Sequence, residues 1–568
     1  MALGISRRLP LHPCVGLLAA VGLLAAGGCQ LGVGTLAGPS VQVADLRCEY
    51  LEEPLGLDVP SPRLSWRLIS HEPSLRGIGQ QAYHVLVSTH PRLLDRGHGD
   101  LWDTGEVRSD QSVNLAYGGR ALRSGQECHW KVRVRDNRGA WSAWSRPGRW
   151  TMGLLSASDW KARWIGTDQV FTKGQGRASS DNTMPDPWFR RSFDLGQRPT
   201  RAVAYVGSIG YHELYVNGHK VGDAVLAPSV TDNSKRARYL TYEIADYLVP
   251  GKNVIGLWLG VSWSIFPRFE VQGRPRTPMV IGQIEMEMPT GRTLQIVTDE
   301  QWRTHPSPNT LLGVWDFMNF GGELYDATQE IPDWCAAGLD DSSWKAACVF
   351  EPKVVLSADR VEPNRKVKAI QPVSIDEVSP GVYCVDMGVN FAGWVEVDVE
   401  GQPGDRVDLR FSERKGVFMT HRLHSAIVIG PSGKGRFRNR FNYAVGRWIT
   451  LEGLKARPSI GQIRAWLVRT GYERSGHFEC DHELFNRIYE TTLWTFENVS
   501  LGGYVVDCPH RERMGYGGDA HATIRTALAN YSLGAFYSKW AEDWRDVQGR
   551  AEEPGVGAQI EPGNLPHT

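Results

Sequence analysis

The sequence predicts a multidomain chain in which sandwich-like β domains precede a helical C-terminal segment, and three observations carry that reading. The 568 residues are too many for one hydrophobic core and suggest three or four domains. From about Val41 to Arg474, short runs alternate apolar and polar residues with a period of two, as half-buried antiparallel strands do. After Gly476 the period changes to near 3.6, the repeat of a helix with one apolar face.

The chain opens on a targeting segment, residues 1–29. Arg7 and Arg8 form a basic start, and residues 15–26 (VGLLAAVGLLAA) form an apolar run shorter than the roughly 20 residues of a membrane span. Ala26-Gly-Gly-Cys29 resembles a bacterial lipobox, with Ala26 where Leu is commoner, so Cys29 is a candidate for lipidation. Ordinary cleavage nearby, or use of Arg7-Arg8 as a twin-arginine signal, are the alternatives. All three imply export: periplasmic, outer-membrane lipoprotein or extracellular, with membrane attachment only through a lipid on Cys29.

Residues 41–153 read as β. Ala82-Tyr-His-Val-Leu-Val-Ser88 and His129-Trp-Lys-Val-Arg-Val-Arg135 alternate cleanly, and the stretch resembles a fibronectin type III sandwich. A polar patch from Thr172 to Pro187 reads as an inserted loop or linker. A second β region covers residues 188–352, where strands flank Asn217-Gly218, a strong hairpin signal. A third covers residues 361–474, with Val395-Glu-Val-Asp-Val399 and Arg406-Val-Asp-Leu-Arg-Phe411 alternating. In residues 476–568, Asp481 is the expected N-cap of a helix with the stripe Leu484, Phe485, Ile488, Thr492, Leu493 and Phe496. A second helix is expected from near Asp519, burying Thr523, Ile524, Ala527, Leu528 and Tyr531, and a third carries Phe536, Trp540, Trp544 and Val547.

Composition excludes several functions. Lys+Arg and Asp+Glu both number 63, so no global field recruits nucleic acid or an acidic membrane. Seven cysteines remain after the leader, without CxxC spacing, so neither a zinc site nor a disulfide framework is indicated, although Cys335 and Cys348 could pair. No metal site is expected. The 21 tryptophans are mostly core, but such a surplus also suits sugar rings, whose faces stack on indoles.

Between the first two expected helices lies Asp507-Cys-Pro-His-Arg-Glu-Arg-Met-Gly-Tyr-Gly-Gly-Asp519-Ala520. Its glycines and proline favour an irregular loop. As residue types the stretch has two readings. Acid-rich loops with arginines are commonly solvated surface or structural ion-pair clusters. Asp507, Glu512 and Asp519 also supply what glycoside hydrolysis needs, a carboxylic acid to protonate the leaving oxygen and polar groups to hold hydroxyls. Cys508 reads as a small buried residue rather than a nucleophile.

The pattern D-C-P-x-R-E-R-x-G-[WY]-x-G-D-A closely resembles the active-site loop of the bacterial α-L-rhamnosidases, glycoside hydrolase family 78. Leu46-Arg-Cys-Glu-Tyr50, Pro62-Arg-Leu-Ser-Trp66, Gly321-Gly-Glu-Leu-Tyr-Asp-Ala327 and the segment from Tyr383 to Trp394 are also worded like that family. The resemblance implies a jelly-roll domain over residues 188–352, a β-sandwich over 361–474, and the opening of an (α/α)6 catalytic barrel over 476–568. It makes Glu512 the general acid and gives Asp507, Arg511 and Asp519 the task of holding rhamnose. Tyr516 stands where the family has Trp, which keeps stacking in kind and leaves room for a relative acting on another sugar. Arg513 is expected to pair with neighbouring acids, and burial with like charges to keep Glu512 protonated.

Hydrolysis of terminal α-L-rhamnose from glycosides or polysaccharides, with inversion, is the implied activity. The resemblance also implies that a jelly-roll domain of this kind can bind rhamnose, in certain cases through calcium, so no cofactor is expected beyond a possible calcium ion in that domain. Asp232, Asn233, Glu323 and Asp326 are available oxygens, but capping or turn roles suit each better. Only about three helices are legible, and the water-activating base is expected beyond Thr568, since no motif places Glu552, Glu553 or Glu561 in that role. A catalytically incomplete carbohydrate-binding or scaffold protein derived from such an enzyme is the alternative.

Overall fold

Period-two runs become strands here wherever one face of the run is buried. The computed structural model describes residues 40–72, 74–171, 184–417 and 419–548. The leader with Cys29, most of the polar patch after Thr172, and Glu552, Glu553 and Glu561 lie outside the described residues. Pro185, Asp186 and Pro187, expected in a linker, instead belong to the strand Met184–Leu195.

Near the N-terminus, Gln80–Ser88 and Glu127–Asp136 pair antiparallel, with Leu86 opposite Lys131. Their five-stranded sheet faces a three-stranded sheet of Val41–Cys48, Arg63–Ser70 and Leu115–Ala116. Val85, Val132, Trp66, Trp130 and Trp150 fill the space between them. A single-turn helix, α1 (Pro91–Asp95), packs against the strands Gln80–Ser88 and Glu127–Asp136. The expected sandwich is therefore two layers around one tryptophan-rich core.

A seven-stranded sheet containing Arg201–Ile209, Arg236–Glu243 and Met279–Glu287 packs on one half of a fifteen-stranded sheet. Ala204, Val206 and Ile284 from the first meet Phe189, Leu214 and Leu257 from the second. The Asn217-Gly218 hairpin forms between Tyr211–Val216 and His219–Lys220, both turn residues taking positive φ (50° and 85°) as a type I′ turn requires.

The second and third β regions, read from sequence as separate domains, share that fifteen-stranded sheet. Gly322–Asp326 pairs in parallel with His424–Val428, Leu324 lying opposite Ala426. Local alternation carries no signal for such a distant pairing. Buried Glu323 pins the joint: it accepts from Asn309 Nδ2 (2.9 Å), Asn439 Nδ2 (3.0 Å) and the backbone N–H groups of Arg440 (2.9 Å) and Phe441 (2.7 Å). Asp232 and Asp326 make turn and cap bonds, to Ser234 N and Thr328 N.

The described helical segment comprises α2 (Glu483–Val499), α3 (Gly517–Asn530) and α4 (Gly534–Val547). The N-cap of α2 is His482, not Asp481, and no side chain bonds there. The expected stripe divides. Leu493 and Phe496 are buried, whereas Leu484, Phe485 and Ile488 are 53–55% exposed. On α3, Ala527 is buried but Leu528 is exposed, and Tyr531 is buried just past the helix end. Ion pairs dock α4 on the seven-stranded sheet: Arg236 to Asp546 (2.5 Å), and Arg238 to Asp543 (2.7 Å) and Glu542 (2.9 Å).

Candidate active site

The loop between α2 and α3 is shaped by its own backbone before any side chain acts. Val505, Val506 and Met514 are buried, and Asp507 N–H donates to Met514 O at 2.8 Å, closing the loop base. Within it, Cys508 O accepts from the N–H groups of Arg511, Glu512 and Arg513 (3.3, 3.3 and 3.2 Å). This tight turn leaves Arg513 in the left-handed region, φ 57°, a costly position for a bulky side chain.

What holds Arg513 there is its burial. The side chain is fully enclosed, and it does not pair with acids as the sequence suggested. It donates to Pro509 O (2.9 Å), Asn442 Oδ1 (2.8 Å) and Tyr443 O (3.1 Å). Its guanidinium lies 3.7 Å from the Tyr443 ring centroid, 4.6 Å from Phe320 and 5.3 Å from Trp315. The catalytic-type loop therefore stands on a cation caged by aromatic rings from both β regions. Met318 N–H reinforces this, donating to Arg511 O at 2.8 Å.

On this platform the predicted residues converge. Glu512 hydrogen-bonds to Asp507, Tyr516 and Arg511, and the Arg511 guanidinium lies in a very short contact with its carboxylate. Asp507 also accepts from Met514 N–H at 3.1 Å and from Cys508 Sγ at 3.0 Å. Asp519 sits in the first turn of α3, where the helix N-terminus favours negative charge. Burial nonetheless raises its carboxyl, with a further push from Glu512. All five predicted residues thus belong to one cluster.

The proton lies differently from the expectation. Desolvation, with the shared hydrogen bond to Glu512, pushes Asp507 up to about 6. Glu512 is held below the usual range, first by its bond to Asp507 and then by Arg511 and Tyr516. Of the pair, Asp507 therefore keeps a proton to higher pH than Glu512, because two adjacent carboxylates do not both ionise freely. Cys508, pushed up to about 12 mainly by burial, is a neutral thiol and no nucleophile. Among the described residues, Asp507, Cys508 and Glu512 form the one group whose potential metal-binding atoms converge, within 4.8 Å of one another. A neutral thiol and the Arg511 cation make it a poor cation site.

Sequence reasoning missed a neighbouring trio. His510 lies 3.6 Å from Glu413 and stacks on His421, ring centroids 4.9 Å apart. Burial lowers the His510 pKa, opposed by Glu413. His510 was visible inside the motif. Glu413 and His421 lie some ninety residues away on a loop whose sequence carries no signal.

Four family models match the chain in succession. They describe a Rha78A-like N-terminal immunoglobulin domain (residues 43–156), an α-L-rhamnosidase N-terminal domain (197–368), a bacterial α-L-rhamnosidase concanavalin-like domain (376–469) and a bacterial α-L-rhamnosidase six-hairpin glycosidase domain (473–565). The first is an immunoglobulin rather than a fibronectin type III model, two variants of one sandwich architecture. An α-L-rhamnosidase of Formosa agariphila is 31% identical over 526 residues, 87% of this chain and 54% of the relative. The solved α-L-rhamnosidase of Dictyoglumus thermophilum superposes with a TM-score of 0.83 at 31% identity, covering 90% of this chain and 58% of that one. The Streptomyces avermitilis α-L-rhamnosidase complexed with L-rhamnose (TM-score 0.81, 23% identity, 90% of this chain and 65% of that one) shares the fold. This chain thus spans little more than half the length of the first relatives it matches. With an immunoglobulin-like sandwich, sheet-rich domains and the six-hairpin glycosidase segment following in order, the chain belongs to the bacterial α-L-rhamnosidases of glycoside hydrolase family 78.

Proposed function

We propose that this chain carries the acid-bearing half of an exported, inverting α-L-rhamnosidase that removes terminal α-linked rhamnose from glycosides or polysaccharides. The observation that carries the proposal is the hydrogen-bonded pair of carboxyl groups, Asp507 and Glu512, set beside Arg511 and Tyr516. Glu512, the less buried partner, protonates the glycosidic oxygen by taking up the proton that Asp507 holds across their hydrogen bond. Asp507 holds that proton in reserve, so protonation of the leaving group and ionisation of the dyad are one event. Arg511 and Asp519 then hold sugar hydroxyls, and the Tyr516 ring faces the pyranose. Inversion requires a second carboxylate roughly 6.5–9.5 Å from the acid, on the far side of the sugar. That part is assigned to no described residue. The leader supports export, with lipidation at Cys29 as its anchored form.

The test is release of nitrophenol from 4-nitrophenyl α-L-rhamnoside, compared with aryl glycosides of other sugars. Selective turnover of the rhamnoside supports the proposal. Binding of the rhamnoside without turnover supports the carbohydrate-binding alternative, and equal turnover of the other sugars rules out the rhamnose assignment.

A further inference from the structure

Away from the acid loop, the third β region carries a groove whose lining follows from strand register. In Val382–Glu400, Tyr383, Val385 and Met387 point into the core, which turns Cys384 and Asp386 outward. Their antiparallel neighbours complete two rows across three strands. Ser374, Asp386 and Trp448 form one row, and Asp376, Cys384 and Thr450 the other. The loop at Lys415–Val417 closes one side, leaving a space of about 170 Å³. Arg447 fixes the key ring: it grips Asp386 at 2.7 and 2.8 Å while its guanidinium lies 4.8 Å from the Trp448 centroid.

We propose that this groove is a carbohydrate subsite that holds one pyranose unit, separate from the acid loop. A space of roughly 150 Å³ accepts a single six-membered ring. The lining is amphipathic in the way such a ring is: Trp448, Val378 and Val417 offer an apolar wall. Asp376, Asp386 and Lys415 offer donors and acceptors to a rim of hydroxyls. A purely apolar guest would desolvate Asp376 and Lys415 without replacing their hydrogen bonds to water, and a strongly charged one would meet both signs at once. The site would keep a polysaccharide near the acid loop while its terminal unit reacts.

Cys384 lines the groove as a native reporter, and Cys480 and Cys508 lie elsewhere, the latter on the acid loop. The full chain is labelled with N-ethylmaleimide, with and without methyl α-L-rhamnoside at up to about 100 mM, and each cysteine peptide is quantified by mass spectrometry. Labelling of Cys384 is expected to slow at least threefold, with a half-effect in the millimolar range and no change at Cys480. Trp448→Ala should abolish the protection. Should that variant fold poorly, Asp376→Ala, at an exposed position, should weaken the half-effect about tenfold. Cys384 tracking Cys480, or protection surviving both variants, would overturn the proposal. So would failure of the maleimide to reach Cys384 in the free chain, since the groove would then be closed. Protection at Cys508 alone would place the sugar only on the acid loop, and would equally overturn it.

Discussion

Replacing Arg513 by alanine removes the cation on which the acid loop stands, and the consequence can be worked from its contacts. Pro509 O and Tyr443 O lose the donor that Arg513 supplies, whereas Asn442 Oδ1 keeps the Tyr443 N–H at 2.8 Å. The site is sealed, so water does not replace the guanidinium at once, and each stranded group costs about 1–3 kcal/mol. Loss of the Tyr443 and Phe320 faces adds about 1 kcal/mol. Opposing this, alanine relieves the desolvation that lowers the arginine's pKa, and the positive φ at 513 remains strained for alanine. The net loss should be about 3–5 kcal/mol, felt first in the loop. Native-state hydrogen exchange of amides 505–516 resolves it, with protection expected to fall about 100-fold or more at 1.4 kcal/mol per factor of ten. Arg513→Lys, keeping the charge but not the fork, should fall between. A loss under about 1 kcal/mol for the alanine variant would refute the idea that this buried cation supports the site.

Three further outcomes follow from the same geometry. In the active enzyme the rate should fall as pH rises through about 6, where the Asp507–Glu512 pair gives up its proton, and Asp507→Asn should move that limb to lower pH. Because Asp507 is raised in the fold, its own contribution to stability is complete below its ordinary value near 4 and is lost as pH rises through about 6, which titration of urea midpoints at 4, 5 and 7 would detect. On α2, Phe485→Ser should change stability by no more than about 0.5 kcal/mol, whereas Phe496→Ala should cost about 3–5 kcal/mol, since one ring is exposed and the other buried.

The α2 pair also shows what sequence could and could not convey. Helical periodicity marks which residues share a stripe, but not which half of it meets a neighbour, so Leu484 and Phe485 read the same as Leu493 and Phe496. The acid loop was legible because its chemistry lies in fourteen consecutive residues, and Asp507, Arg511, Glu512, Tyr516 and Asp519 do gather. Its foundation was not legible. Trp315, Phe320, Asn442 and Tyr443 come from two other regions, and each reads locally as ordinary strand or turn. Proximity to acids suggested ion pairing for Arg513, yet the backbone turn at Cys508 aims it away from them. The proton's position depended on the burial of Asp507 and on its hydrogen bond to Glu512, with Arg511 adding to the difference, a matter of side-chain geometry that residue spacing does not fix. Likewise, the parallel pairing of Gly322–Asp326 with His424–Val428 joins segments about a hundred residues apart, beyond any local signal.

The central claim is that Glu512 protonates the leaving oxygen, and a leaving-group series on Glu512→Gln tests it most directly. With aryl and alkyl rhamnosides of increasing leaving-group pKa, the loss of an acid matters little when the departing alkoxide is stable and greatly when it is not. The account predicts a rate loss of about 10²–10⁴ for alkyl rhamnosides, shrinking steadily toward the most acidic phenols. A uniform loss across the series, or normal hydrolysis of the alkyl substrates, would mean that Glu512 is not the acid.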